Sequence, residues 1–139
     1  KSPYFSEYSP ELFSLLEKGH MHLSDLTVEL VIWFCKVLGI STQIKYSSKM
    51  ENIGTKADLL AMLCGQVDAT EYVSAPGSRE YLEQSDAFEK SGLHVKYHEF
   101  DHPVYPQLFG DFTPYMSIVD LLFNVGPDSP SIIRKGYKK

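Results

Sequence analysis

The sequence predicts an α/β fold, a small parallel sheet with flanking helices, in which a βαβαβ core is preceded by two helices and followed by two more. Three observations predict it. Short β-rich runs at 42–46, 69–74 and 94–100 alternate with helical patterns, and connections this short imply parallel strands joined by right-handed crossovers. Apolar residues at helical spacing mark the segments before and after that alternation. Ser9-Pro10, Thr113-Pro114 and Ser129-Pro130 share one helix-start grammar, a hydroxyl cap followed by a proline whose missing N–H costs nothing at the first helical position.

Taken in order, the first helix is expected from Ser9 to about Lys18, ended by Gly19. The second starts near Ser24 and carries Leu26, Leu30, Trp33, Phe34 and Val37 on a wide face that should be well buried, ending at Leu38-Gly39. The strand at 42–46 leads to a helix over 55–66, with Thr55 and Asp58 as a capping box and Leu59, Leu60 and Leu63 facing inward. The strand at 69–74 is followed by short helical turns at 78–83 and 85–91, then by the strand at 94–100. Beyond a proline-rich crossing (Pro103, Pro106), the apolar run 118–123 reads as a buried helix. Three strands make a narrow sheet, which leaves open membership of a larger Rossmann-like domain.

A chain of 139 residues, 43% hydrophobic and 22% charged, suits one globular domain over 1–139 with a core of its own. A net charge of −5 disfavours general binding to nucleic acid or anionic membranes, which requires clustered Lys and Arg. The basic tail (Arg134, Lys135, Lys138, Lys139) reads as a solvated terminus. No apolar run reaches membrane-span length and no signal peptide opens the sequence. Cys35 and Cys64 lie in apolar helical patterns and read as small core residues, compatible with a reducing cytoplasm. The sequence begins at Lys1 without an initiator Met, so it is expected to be a piece of something longer.

Two segments stand out chemically. Ser74-Ala75-Pro76-Gly77-Ser78-Arg79 follows a predicted strand and opens a helix, at the sheet edge where open α/β folds bind ligands. There Gly77 would permit an unusual backbone and close approach, Ser78 would cap the helix, its free N–H groups would face an anion, and Arg79 would add a fork of donors. The plainer reading is a tight turn with its arginine in solvent. His102-Pro103-Val104-Tyr105-Pro106-Gln107 begins just past the last strand, so His102 is expected at the same edge as a general acid or base. The prolines would fix where His102, Tyr105 and Gln107 point, or simply stiffen a crossing. Asp120 and Asn124, four apart with Ser117 one turn before, should face one polar feature together, a ligand or a loop carbonyl. His94, His98 and His102 are spaced along an extended strand, about 13 Å per four residues, too far apart to share one ion, so no metal is expected. There is no GxSxG, P-loop, GxGxxG or CxxC motif, and no cofactor is expected.

These stretches together resemble the WbqC-like family of bacterial proteins. The likeness is carried by Leu38-Gly39-Ile40, by Tyr72-Val73-Ser74-Ala75-Pro76-Gly77-Ser78-Arg79-Glu80-Tyr81-Leu82, and by Phe100-Asp101-His102-Pro103-Val104-Tyr105-Pro106-Gln107. It continues through Pro114-Tyr115-Met116-Ser117-Ile118-Val119-Asp120-Leu121-Leu122-Phe123-Asn124-Val125-Gly126. Two departures qualify it. The family's usual N-terminal region, with a Gln-Pro start and an Asp-Asp-Val-Gln-like motif, is absent, and Thr27 stands where the family has Asn.

The resemblance implies a place in surface-polysaccharide (O-antigen) biosynthesis, and with it an enzyme, or the C-terminal half of one, transferring a group to or from a nucleotide-activated or phosphorylated sugar. On that reading Ser74, Gly77, Ser78 and Arg79 hold a phosphate or carboxylate. His102 handles a proton, and Asp120 is counted with it as catalytic. Tyr105, Gln107, Ser117 and Asn124 line the substrate. The expected partner is a small anionic or sugar-nucleotide ligand, with no nucleic acid and no membrane; a preceding segment or a second copy of the chain remains open. The alternative is a non-catalytic binding or assembly module of the same pathway, contacting partners through exposed aromatics such as Tyr4 and Tyr8.

Overall fold

The computed structural model describes residues 1–138 and confirms an α/β protein with a small parallel sheet. The chain groups into two compact units, one of Lys1–Thr42 with Asp101–Gly136, the other of Gln43–Phe100 with the chain from Tyr137 onward.

The first unit is helical: α1 (Phe5–Leu16), α2 (Leu23–Val37), α6 (Ile118–Val125) and α7 (Ser129–Lys135). α1 begins a turn earlier than Ser9-Pro10 suggests, leaving Pro10 inside it. Packing overrides the local signal: the Phe5 ring meets Phe123 and Phe13 at 5.2 and 6.1 Å, and the Tyr4 N–H donates to the Phe123 carbonyl at 3.0 Å. Leu12, Trp33 and Leu122 form a buried cluster with Tyr8, Leu30, Phe34 and Val119 packed on it. α2 is buried on that one face only; Val31 and Ile32, on its other side, are exposed, which corrects the expectation of a well-buried helix.

α6 is apolar around most of its circumference because it serves two clusters. Leu122 faces the α1–α2 side, while Leu121 and Val125 pack with the buried Tyr105 and with Phe112, Ile132 and Ile133. The Thr113-Pro114 pair starts no helix. The start lies at Ser117, whose Oγ accepts the Val119 N–H at 3.2 Å, so the proline pair belongs to the approach loop. α7 starts at Ser129-Pro130 as expected, although the fully buried Ser129 hydroxyl donates backward to the Gly126 carbonyl at 2.6 Å.

The second unit contains α3 (Lys56–Gly65), β1 (Glu71–Ser74), α4 (Arg79–Glu83), α5 (Ala87–Lys90) and β2 (His94–Tyr97). β1 and β2 pair in parallel, with Glu71 opposite His94 and Ser74 opposite Tyr97. The strand expected at 42–46 does not form: those residues pair with nothing as a strand, and the alternation there supplies β propensity without a ladder partner. The inner face of α3 is Ala57, Leu60, Ala61 and Cys64 rather than Leu59, Leu60 and Leu63. Two alanines there let α3 come close to Phe88 of α5, and burial of this cluster with Leu82 and Leu93 carries the unit. Thr55 makes no side-chain cap, so the capping box is also absent. Cys35 and Cys64 are free and half-buried, and burial pushes the Cys64 thiol up, keeping it protonated and unreactive at neutral pH. Of the basic tail, Arg134 and Lys135 end α7, and Lys139 lies outside the described residues. Among the described residues no helix is long and apolar enough to cross a membrane.

Candidate functional site

The two sequence-singled segments lie in different units, and each is built by its own neighbours.

In the second unit, β1 ends at Ser74 and the chain turns through a 3-10 segment (Pro76–Ser78) directly into α4. Ser74 is buried, and its Oγ lies 2.5 Å from Ser78 Oγ, which in turn donates to the Ala75 carbonyl at 2.6 Å. This corrects two expectations. Ser78 makes no side-chain cap to α4, because its hydroxyl is spent closing the turn behind it, and the Ser78 and Arg79 N–H groups already donate to Ala75 and Pro76. Gly77 has no left-handed backbone, and a Cβ there would meet nothing within 4 Å, so glycine is not sterically required. The Arg79 guanidinium lies 3.9 Å over the Tyr97 ring and bonds Glu83 at 3.2 Å, so neither stacking nor ion pairing leaves it a purely solvated charge. Tyr97 also lines a shallow cavity of about 640 Å³ with Leu82, Phe88, Leu93, His94 and Val95. Glu83 and Glu89 on its wall disfavour an anion inside it.

In the first unit, sequence-distant residues meet around Asp120. Its Oδ2 accepts the Tyr105 hydroxyl at 2.8 Å and the Gln107 amide at 2.8 Å, while Asn124 Nδ2 donates to its Oδ1 at 3.0 Å and to its carbonyl at 2.8 Å. Gln107 also clamps Thr113 from both sides, its Oε1 accepting the Thr113 N–H at 2.7 Å and its Nε2 donating to the Thr113 carbonyl at 3.0 Å. Helical spacing thus bonds Asn124 to Asp120 itself, and Asp120 reaches on to Tyr105 and Gln107. Ser117 instead caps α6.

His102 sits half-buried among rings, 6.1 Å from Tyr105, 5.7 Å from Phe112 and 5.5 Å from Tyr115. Its Nδ1 lies 3.1 Å from the Pro103 carbonyl, which can only accept, so a proton on Nδ1 satisfies this contact. The sequence singles out neither Phe112 nor Tyr115 as a site residue: Tyr115 lies in the stretch that carries the family likeness, but nothing in the sequence sets either ring against His102. His98 stacks instead with Phe100 and Tyr137 in the second unit, and His94 opens β2. Among the described residues no three His, Cys, Asp or Glu side chains are grouped to hold a metal ion.

Burial, reinforced by the hydrogen bond to Asp120, pushes the Tyr105 phenol above its ordinary value of 10.0. A raised phenol pKa stabilises the fold fully below the unfolded value. That contribution is lost as pH rises through the folded value, because the unfolded chain releases its proton first. Denaturant unfolding at about pH 8 and about pH 11 should therefore show a steep loss of stability in the wild type. Tyr105→Phe should start lower but fall less over the same interval; parallel declines would remove Tyr105 as a contributor.

The model of the WbqC-like protein family matches residues 1–132. The chain is 40% identical over 133 residues to the "Uncharacterized protein Rv1507c" of Mycobacterium tuberculosis, a match covering 94% of this chain and 57% of that protein. The chain thus spans little more than half the length of that relative. No solved structure matches.

Proposed function

Because the chain belongs to the WbqC-like protein family, we propose that it contributes to an enzyme of bacterial surface-polysaccharide (O-antigen) biosynthesis, acting in the cytoplasm on a nucleotide-activated or phosphorylated sugar. The observation that carries this reading is His102. An imidazole whose Nδ1 faces the Pro103 carbonyl stands in an aromatic shell whose backing residue, Tyr105, is itself tied to Asp120. An imidazole in such a place is suited to take a proton from an attacking sugar hydroxyl and return it to the leaving oxygen. Asp120, Gln107 and Asn124 act here as positioning residues, since their polar groups are already engaged with one another. Arg79, stacked 3.9 Å over Tyr97, is a candidate by itself for holding an anionic group.

Calorimetric titration of uridine-diphosphate sugars into the wild type should show binding, weakened about five-fold or more in Arg79→Ala. Equal affinity would remove the anion role. His102→Ala should keep its affinity for UDP yet fail to restore surface polysaccharide in cells lacking the protein.

A second reading is favoured by one specific feature, the mutual satisfaction of Tyr105, Gln107, Asp120 and Asn124, which builds structure rather than reaching outward. Under it the chain is a non-catalytic binding or assembly module, and His102→Ala restores polysaccharide fully. Tyr4 and Tyr8, expected as exposed aromatics, are half-buried, Tyr8 against the Leu12–Trp33 cluster and Tyr4 against Gly126.

A further inference from the structure

Tyr115 combines three properties that are costly together. It is 85% exposed, it holds a left-handed backbone with φ of +62°, and its ring still stands edge-on to His102 at 5.5 Å and 71°. Bulky side chains avoid that backbone region, where glycine fits without strain, and strain of this kind concentrates at ligand sites. The loop is also held: the Gln107 side chain closes the chain at Thr113, two residues before Tyr115, and Phe112 packs on both His102 and Tyr105. So exposed a ring buries little surface in return for that strain.

The charge around it selects what could lie on it. Between Lys96 and Arg134 the sequence has no lysine or arginine, whereas it has Glu99, Asp101, Asp111, Asp120 and Asp128. Phosphate, nucleic acid and anionic lipid find no cationic side chain in this stretch of the chain. A flat nucleobase favours parallel ring faces, but the Tyr115 and Phe112 rings tilt at 71° and 48° to His102. A sugar ring fits better. Its C–H face is polarised positively and matches the negative face of an aromatic ring, and its hydroxyls can donate to carboxylates such as that of the exposed Asp111.

We propose that Tyr115, with Phe112 and His102 behind it, is a stacking platform for the uncharged sugar ring of the ligand, separate from whatever group holds the phosphates. This rests on the activated-sugar reading above.

The test compares affinity for uridine-diphosphate sugars (glucose, galactose and N-acetylglucosamine) with affinity for UDP alone, by calorimetry on the full chain. In the wild type at least one sugar nucleotide should bind more tightly than UDP. Tyr115→Gly should reduce that advantage by about five-fold while leaving UDP affinity unchanged, and Tyr115→Phe should retain it. Because glycine relieves the backbone, Tyr115→Gly should unfold thermally at or above the wild-type midpoint. A lowered midpoint would make the ring structural and overturn the proposal. A sugar advantage that survives in Tyr115→Gly, or is absent from the wild type, would overturn it while leaving the activated-sugar reading intact. Failure of every sugar nucleotide and of UDP to bind would remove both.

Discussion

Gly126→Ala is expected to destabilise the first unit by about 3–5 kcal/mol, the sum of a left-handed backbone penalty and an overpacking penalty. Gly126 ends α6 with φ of +54°, and a Cβ built on it would lie 2.5–2.6 Å from ring atoms of Tyr4. The ring has little room to withdraw, because the Tyr4 N–H is bonded to the Phe123 carbonyl and the next residue, Phe5, is packed on the Phe123 ring. Chemical denaturation should show the loss directly. Tyr4→Ala in the same chain should restore the steric part and leave the backbone part, so the two substitutions should couple rather than add. Gly77→Ala is the internal control: its backbone is ordinary and its surroundings are open, so stability should be unchanged or slightly raised. A Gly126→Ala loss no larger than that of Gly77→Ala would mean that the N-terminal segment does not rest on α6.

Asp120→Ala should cost about 2–4 kcal/mol, since it strands the hydroxyl of a residue only 5% exposed and removes the acceptor shared with Gln107. The half-burial of Asp120 itself argues for the lower part of that range. Asn124 keeps the Asp120 main-chain carbonyl, and Gln107 keeps Thr113, so the loss falls mainly on Tyr105. A double-mutant cycle with Tyr105→Phe should return a coupling of about 1–2 kcal/mol. Asp120→Asn should fall between wild type and alanine, because its amide offers one acceptor where Tyr105, Gln107 and Asn124 all present donors. Coupling near zero would show that the brace carries no stability, and the 102–107 segment would then be held by packing alone.

Helix signals were legible wherever the apolar stripe and the punctuation agreed. α2 ends at Leu38 with Gly39 at φ of +67°, and α7 opens at Ser129-Pro130. They misled where a single cap motif had to compete with packing, as at Ser9-Pro10, where Phe5 and Tyr4 extend the helix backward, and at Thr113-Pro114, where the chain stays irregular until Ser117. The run at 42–46 had strand composition, but a strand requires a neighbour, and none pairs there. At the candidate site the sequence identified His102, Tyr105, Gln107, Asp120 and Asn124 as polar or aromatic residues needing a reason to be where they are. It carried no sign that Asp120 would be that reason, nor that Phe112 and Tyr115 would surround His102.

The sequence by itself determined the α/β class, the parallel pairing of the 69–74 and 94–100 segments, the helices at both ends and the family. These follow from local spacing and from recurring short motifs, which the chain carries wherever it folds. Tertiary structure alone decided the rest: that Ser78 closes a turn rather than capping a helix, that Gly77 is free to be another residue while Gly126 is not, and that a histidine and a tyrosine thirteen positions apart share one aromatic surface. Each of these depends on distances between atoms far apart in the chain, and no period or motif along the chain encodes such a distance.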